Sequence, residues 1–411
     1  MKRAVITGLG PVTPIGTGVE RFWAGLKGNE SAVRRITLFD PSPFKSQIAG
    51  EVRDFDPTDY LERKALKRMD RFSQFAVVAT RLAIEDASLD IGSLNSDRLG
   101  VSIGSALGGI GFAEKQLGVY HTEGLRSVDP SLALSVFCGA GSCNIAIDVG
   151  CTGPVTANSN SCASGTIALG EALEFIRSDQ ADVVLAGGSE SPLSPLCFGA
   201  FAIIKAMSCR NDDPEHACRP FDAGRDGFVM GEGATVLVVE ELEHALNRGA
   251  HIYAEIAGHS LTNDAYQMMA PRPDGKSASR AMSLALSNAG VAPEDIDYIS
   301  AHGSSTPLND KSETLAIKTV FGDRAYCIPI SSTKGHHAHA LGATGAFEAA
   351  ACALALEHGF IPPTLNLDSA DPECDLNYMP NQGCSSELRT VLSNSFGFGG
   401  INACLVLKRN D

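Results

Sequence analysis

The chain has 411 residues, 44% of them hydrophobic and 20% charged, a balance that places it among folded globular proteins with a large core and excludes a disordered chain. Asp and Glu outnumber Lys and Arg 48 to 33, for a net charge of −15, which excludes broad nucleic-acid or anionic-membrane binding and leaves acidic partners to be met by a local basic patch. No apolar run reaches the roughly 18 residues needed to span a bilayer, and 12 cysteines without a C-x-x-C pair argue against a zinc ribbon or a disulfide scaffold, so a reduced, cytoplasmic setting is expected.

The first residues, MKRAVITGLGPVTPIG, start with two basic residues, but Gly and Pro interrupt the apolar run and no small-residue cleavage site follows. They are expected to form a buried strand over residues 4–7 and a loop at residues 8–11, rather than a signal peptide. The prolines and the lack of G-x-G-x-x-G spacing exclude a phosphate-binding loop. A helix is predicted over residues 19–26 and a longer one within residues 61–87, where Phe72, Phe75, Ala76, Ala79 and Leu82 fall near a 3.6-residue period. Its first turns carry Arg63, Lys64, Lys67, Arg68 and Arg71, a cluster that is either a solvated face or a dock for an acidic carrier. Residues 98–105 read as a strand followed by a glycine-rich turn. Residues 130–149 are apolar all round, which predicts a buried helix at a subunit interface.

Residues 152–170, TGPVTANSNSCASGTIALG, are expected to form a strand, a tight turn with one cysteine, and a helix. Cys162 then lies at a helix N-terminus, where free N–H groups and the helix dipole favour the thiolate and can also hold an oxyanion. Further strands are predicted at 182–186 and 235–240, with a short helix at 242–248. From residue 252 the pattern begins again: strands at 253–258, 298–301 and 328–331, helices at 277–289, 312–320 and 343–358. Strand-like residues 390–394 and 403–407 flank the glycine-rich SFGFGGIN. The alternation predicts an α/β protein with largely parallel buried sheets covered by helices, in two halves, residues 1–251 and 252–411. No residue-level repeat accompanies it.

Two histidines follow buried strands: His302 in SAHGSSTP and His339 in STKGHHAHALG. With Cys162 they make a Cys/His/His set at strand-to-helix junctions, where site residues collect in α/β sheets. His336, His337 and His339 also permit a metal reading, but H-H-x-H without cysteine or carboxylate nearby is a weak ligand pattern. Lys334 and Glu348, taken singly, are an ordinary lysine and an ordinary helix residue.

Several long motifs in one order carry a resemblance: ITGLGPVTPIG, SCASG, RPFDAGRDGFVMGEGA, AHGSSTPLND, SSTKGHHAHALGATGAFE and NSFGFGGIN. Over nearly its full length the chain resembles the elongating β-ketoacyl-acyl-carrier-protein synthases, closest to the synthase II type. The resemblance implies a thiolase-like fold of two similar α/β halves in α-β-α-β-α layers, and a decarboxylative condensation of an acyl thioester on Cys162 with a malonyl-carrier. It implies His302 and His339 as donors to the enolate, Lys334 and Glu348 as their support, and Phe398 as gate and, with Cys162, oxyanion-hole amide. It places Ser304 and Thr306 along the phosphopantetheine arm, Leu107 and Phe201 in the acyl pocket, and Gly399 of the glycine turn among the substrate-binding residues. It also puts Lys64, Lys67, Arg68, Arg126 and Lys205 at the dock for an acidic acyl-carrier protein. No metal or organic cofactor is implied, since phosphopantetheine arrives on the carrier. A dimer, of identical subunits or with a related partner, is implied as well.

The motifs also depart from the family. Gly335-His336-His337-Ala338 stands for the more usual Ser-Met-Thr-Gly, Ile401 and Ser304 for threonine, and Gln267 for histidine. None removes a catalytic group, and they leave a type II polyketide or polyene pathway open beside fatty-acid elongation. A thiolase would use a second cysteine as base, a synthase III an asparagine for one histidine, and a non-catalytic chain-length partner would lack Cys162.

Overall fold

The computed structural model describes residues 2–410. Its centre is an 11-stranded mixed sheet. In chain order the main strands are β1 (Ala4–Thr13), β2 (Leu99–Gly104), β3 (Val155–Asn158), β4 (Val183–Glu190), β5 (Gly233–Glu241), β6 (Ala254–Asn263), β7 (Tyr298–Ser300), β8 (Ile330–Ser331), β9 (Thr390–Gly397) and β10 (Ile401–Lys408), with Gly16–Thr17 folded back on β1. They lie in the order β8-β7-β9-β10-β6-β1-β5-β4-β2-β3.

That order is one five-strand pattern used twice. β1-β5-β4-β2-β3 and β6-β10-β9-β7-β8 have the same succession and the same senses: antiparallel at the first two pairings, parallel at the last two. The sets join where β1 meets β6 antiparallel. The sheet is thus mixed rather than largely parallel, because the last strand of each set lies antiparallel between the first strand and the fourth.

Helices complete the layers. α1 (Arg71–Asp86) covers β1, β5 and β4 on one outer face, with α2 (Ala140–Val149) beside it on β2 and β3. α4 (Lys276–Ala289) covers β6, β10 and β9 on the other, backed by α5 (Pro307–Phe321). Between the two sheet halves lie α3 (Ser164–Arg177) and α6 (Thr344–His358), each touching strands of both sets. A helix buried on every side needs small side chains all round, and α6, TGAFEAAACALALEH, has them.

Three local expectations are corrected. Residues 8–11 are no loop: β1 runs through Gly8-Leu9-Gly10-Pro11 to Thr13. The glycines are there for close packing, since a Cβ on Gly8 would lie 2.3 Å from the Ala83 carbonyl oxygen and one on Gly10 1.8 Å from that of Ala79. Pro11 is tolerated because β6 pairs β1 only from Ala4 to Ile6, leaving one side of the later strand unladdered. The helix expected over 61–87 is two segments, Arg63–Leu66 and α1, separated by an extended Asp70 at φ −70°, ψ 163°. Arg71 consequently leaves the basic cluster and points inward, its guanidinium 2.7 Å from buried Glu232.

The expected helix over 130–149 is also broken, into Leu132–Ser135 and α2, with Gly109 donating to the Val136 carbonyl at the break. It is not buried in the monomer. Leu134 and Ile147 are 70% and 81% exposed, Leu125 and Phe137 are exposed as well, and so is Val155 of β3, whose outer edge has no strand partner among the described residues.

No helix among the described residues is long and apolar enough to cross a membrane. Gly10→Ala is expected to push α1 off β1 and cost about 3 kcal/mol, the upper range for overpacking; thermal unfolding of the variant against wild type measures it.

Candidate active site

The crossing of α3 and α6 assembles the site. A Cβ on Gly165 would lie 2.9 Å from the Ala346 nitrogen, and one on Gly345 only 2.1 Å from Thr166 Oγ1, so the two helices touch backbone to backbone near their first turns. Cys162 sits in the 3₁₀ turn Ser161–Ala163 directly before α3, and His339 in the loop before α6. The crossing sets His339 Nε2 3.0 Å from Cys162 Sγ. His302, from the loop after β7, packs edge-on to His339 with ring centroids 5.3 Å apart.

Cys162 is buried, and this reverses one expectation. Removal from water pushes its thiol up to about 11, against the smaller opposing pulls of Ser161, Lys334 and the Phe398 amide. That burial works against the thiolate expected of a helix terminus. The Phe398 N–H faces the sulfur, and a Cβ on Gly397 would lie 3.1 Å from the Cys162 nitrogen, so the end of β9 packs directly against the cysteine turn.

Both imidazoles are neutral, held well below their ordinary value first by burial and then by the nearby Lys334 ammonium. Lys334 is fully buried, and its three donors meet Glu348 Oε1, the His302 carbonyl and, at 3.5 Å, His302 Nδ1. An ammonium cannot accept, so His302 Nδ1 is the acceptor and the ring proton sits on Nε2. His339 Nδ1 lies 2.9 Å from Thr344 Oγ1, a hydroxyl able to donate and leave that ring's proton on Nε2 too. Burial pushes the Glu348 carboxyl up while Lys334 pulls it back. Two neutral N–H donors beside a thiol in a dry pocket can stabilise charge that develops on a bound carbonyl oxygen.

A cavity of about 500 Å³ leads to these groups. Cys162, His302, His339, Phe398, Ser304, Thr306 and Lys205 line it, and Ser304 Oγ and Thr306 Oγ1 lie 2.9 Å apart in its wall. Leu107 and Phe201 are elsewhere, packed with Cys162, Phe198, Phe228 and Leu341 in an apolar cluster behind the sulfur. Phe398 stacks on Phe201, centroids 6.2 Å apart, between cavity and cluster. Gly399 does not line the cavity. Its N–H donates to the Met268 carbonyl and its carbonyl accepts from Asn263 Nδ2, which anchors the loop. Lys64, Lys67, Arg68, Arg126 and Lys205 are all exposed, and none forms an ion pair among the described residues.

Sequence reasoning missed the groups that hold the loops. Buried Glu313 accepts from the His302 and Gly303 amides, both at 2.8 Å, and from Asn394. Buried Glu190 accepts from Ala106, Leu107 and Gly342 amides, tying the loops on either side of Cys162. For Glu190 the available signal was a carboxylate closing an apolar strand, which costs free energy unless it has partners; Glu313 lies in a helix of mixed polarity and gave none. The metal reading of the histidines finds no geometry: His337 and His339 are bonded to other groups, and no cluster of three or more metal-ligating side chains exists among the described residues.

Residues 1–245 match the model for the N-terminal domain of β-ketoacyl synthases and residues 253–368 that for their C-terminal domain. The chain belongs to the β-ketoacyl synthase family. It is 46% identical over 408 residues to a 3-oxoacyl-[acyl-carrier-protein] synthase 2 of Synechocystis sp., covering 99% of this chain and 98% of the relative. It is 44% identical to the protein of that name from Staphylococcus aureus, with the same coverage. Among solved structures, the ishigamide ketosynthase/chain length factor superposes with TM-score 0.94 at 38% identity. A type II polyketide ketosynthase in complex with its acyl-carrier protein does so with TM-score 0.91 at 39% identity, each comparison covering all of both chains. Within this ketosynthase, buried His336 is the odd member: its neighbours are the backbones of Thr333 and Gly28, but neither ring nitrogen reaches hydrogen-bond geometry.

Burial holds His336 down at about 4, whereas the unfolded side chain titrates near 6.5. The unfolded state therefore binds the extra proton first, and the native state loses stability as pH falls below about 6.5. His336→Met is expected to stabilise the protein, the gain at pH 5 exceeding that at pH 7.5 by about 2 kcal/mol; chemical denaturation at the two pH values checks it.

Proposed function

We propose that this ketosynthase elongates an acyl chain in fatty-acid synthesis, by decarboxylative condensation of an acyl group on Cys162 with malonyl-acyl-carrier protein. The observation that carries the reading is the meeting of one buried thiol with two neutral imidazoles at the end of a cavity. In the first half-reaction the Cys162 sulfur attacks the acyl thioester of the carrier. The Cys162 and Phe398 amides hold the tetrahedral oxyanion, and the carrier thiol leaves with the proton that the sulfur gives up. In the second, malonyl-carrier loses carbon dioxide, and the electron pair of the broken C–C bond forms an enolate whose oxygen accepts from His302 and His339. The enolate carbon attacks the acyl carbonyl, a C–C bond forms, Cys162 departs as thiolate and takes up a proton, and β-ketoacyl-carrier is released.

Lys334 and Glu348 support the imidazoles, with Lys334 setting the tautomer of His302. Ser304 and Thr306 sit in the cavity wall where hydroxyls can meet a pantetheine arm, and the apolar cluster with Leu107 and Phe201 suits an acyl chain, with Phe398 standing between the two. The exposed, unpaired cations Lys64, Lys67, Arg68, Arg126 and Lys205 suit an acidic carrier, Lys205 at the cavity itself. The solved complex of a related ketosynthase with its carrier supports that partner. The chemistry as written draws on the sulfur, the imidazoles and backbone amides of this chain, with phosphopantetheine supplied by the carrier. The two polyketide-type neighbours keep a second reading in view, the catalytic subunit of a type II polyketide or polyene system paired with a chain-length partner.

Intact mass after incubation with acyl-carrier is expected to show an acyl adduct on wild type and none on Cys162→Ala. Addition of malonyl-carrier is expected to discharge it with carbon dioxide release. An adduct that survives Cys162→Ala overturns the nucleophile. His302→Ala is expected to keep the adduct and slow decarboxylation about a hundredfold, the usual loss for one oxyanion donor.

The exposed apolar side chains of Leu134, Phe137 and Ile147 and the open edge of β3 support a dimer through that edge. Light scattering on the purified protein alone is expected to give twice the chain mass of 43.1 kDa, and the monomer mass for Ile147→Glu. A wild-type monomer that doubles only with a related subunit favours the paired polyketide reading.

A further inference from the structure

The segment from Thr333 to His339 carries a backbone feature that its side chains explain. Lys334–His337 is a single helical turn, closed by the Ala338 amide donating to the Lys334 carbonyl at 2.8 Å. At Ala338 the chain leaves that turn with φ 62° and ψ −170°, a region open to glycine and costly for any residue with a Cβ. The next residue is His339. Its amide donates to the Val229 carbonyl at 2.8 Å and its carbonyl accepts from the Gly231 amide at 2.9 Å, so its backbone is pinned on both sides and the strained dihedrals at Ala338 set how its ring approaches Cys162.

Two things hold Ala338 there. Its methyl lies against two glycines; a Cβ on Gly50 would be 2.8 Å from it and one on Gly231 3.3 Å. The second is the imidazole of His337, fully buried and edge-on to Phe347, centroids 5.3 Å apart. His337 Nδ1 lies 2.7 Å from the Ala338 carbonyl oxygen. A carbonyl only accepts, so Nδ1 donates, and Nε2 is left to accept from Thr333 Oγ1 at 3.0 Å. The ring thus bridges the start and the end of the turn, with both nitrogens used.

We propose that His337 is a positioning residue for His339, its imidazole clamping the Ala338 carbonyl in a conformation that alanine does not hold by itself. This rests on the role of His339 in the condensation given above. A glycine at position 338 would adopt the conformation freely and would need no clamp, so the histidine and the alanine act as a pair.

The pairing makes the test a double-mutant cycle of His337→Ala and Ala338→Gly, read by condensation kinetics and thermal unfolding. His337→Ala is expected to lower kcat about tenfold, the scale of a small misplacement of a reacting group, with KM for malonyl-carrier unchanged. Adding Ala338→Gly is expected to restore kcat to within about threefold of wild type. His337→Asn, whose amide nitrogen can stand where Nδ1 stands, is expected to keep kcat. His337→Gln, whose amide reaches Thr333 rather than the Ala338 carbonyl, is expected to lose it, and serves where the alanine variant does not fold. The melting temperatures are expected to be non-additive by on the order of 2 °C, with the glycine helping more when His337 is absent. A kcat loss that glycine does not restore, a KM that moves with kcat, or additive melting temperatures overturns the proposal. If the wild type condenses no carrier thioester, the functional reading falls, and the melting temperatures alone still decide the clamp.

Discussion

Everything in the site depends on one contact, the crossing of α3 and α6 at Gly165 and Gly345. Two helices buried between two sheet halves come this close only where one residue of each facing pair has no side chain, Gly165 against Ala346 and Gly345 against Thr166. Their N-termini then point into the same space, and the residues just before them, Cys162 and His339, meet at 3.0 Å. The twofold repetition of the strand order explains why the arrangement is near-symmetrical: each half delivers one helix, and each helix brings one reactive group at its start. The site is a property of the junction, and neither half holds it alone.

The second constraint is dryness. Burial pushes the Cys162 thiol up and keeps both imidazoles neutral, and in so low a dielectric a fixed N–H is worth far more to a developing oxyanion than it is in water. The same burial makes Lys334 expensive, since an unpaired charge there would cost several kcal/mol. Glu348 and the His302 carbonyl offset that cost. Buried Glu313 and Glu190 serve the loops similarly, each collecting backbone amides that have no ladder to join.

Much of this was legible in order along the chain. Strand-and-helix alternation gave nearly every main element, and the Cys/His/His set stood out because each member follows an apolar run at a turn. Boundaries failed where packing overrode local pattern. Gly8 and Gly10 look like loop residues, yet they lie in β1 because α1 presses on their backbone. The apolar run at 130–149 has a helical composition, yet a loop amide from Gly109 binds its middle and the helix breaks. The thiolate expected from a helix terminus gave way to burial, a quantity that no single turn contains.

The amino-acid sequence by itself determined the class of fold, through periodicities of two and 3.6 that are local along the chain, and it offered Cys162, His302 and His339 as candidates, their roles resting on the resemblance carried by the motifs. Only the tertiary structure decided that the three groups meet, which tautomer His302 carries, that Gly399 anchors its loop away from the cavity, and that His337 grips the carbonyl of Ala338. Those facts depend on distances between residues far apart in the chain, or on which of a side chain's possible partners packing brings within reach, and neither is written in any local pattern.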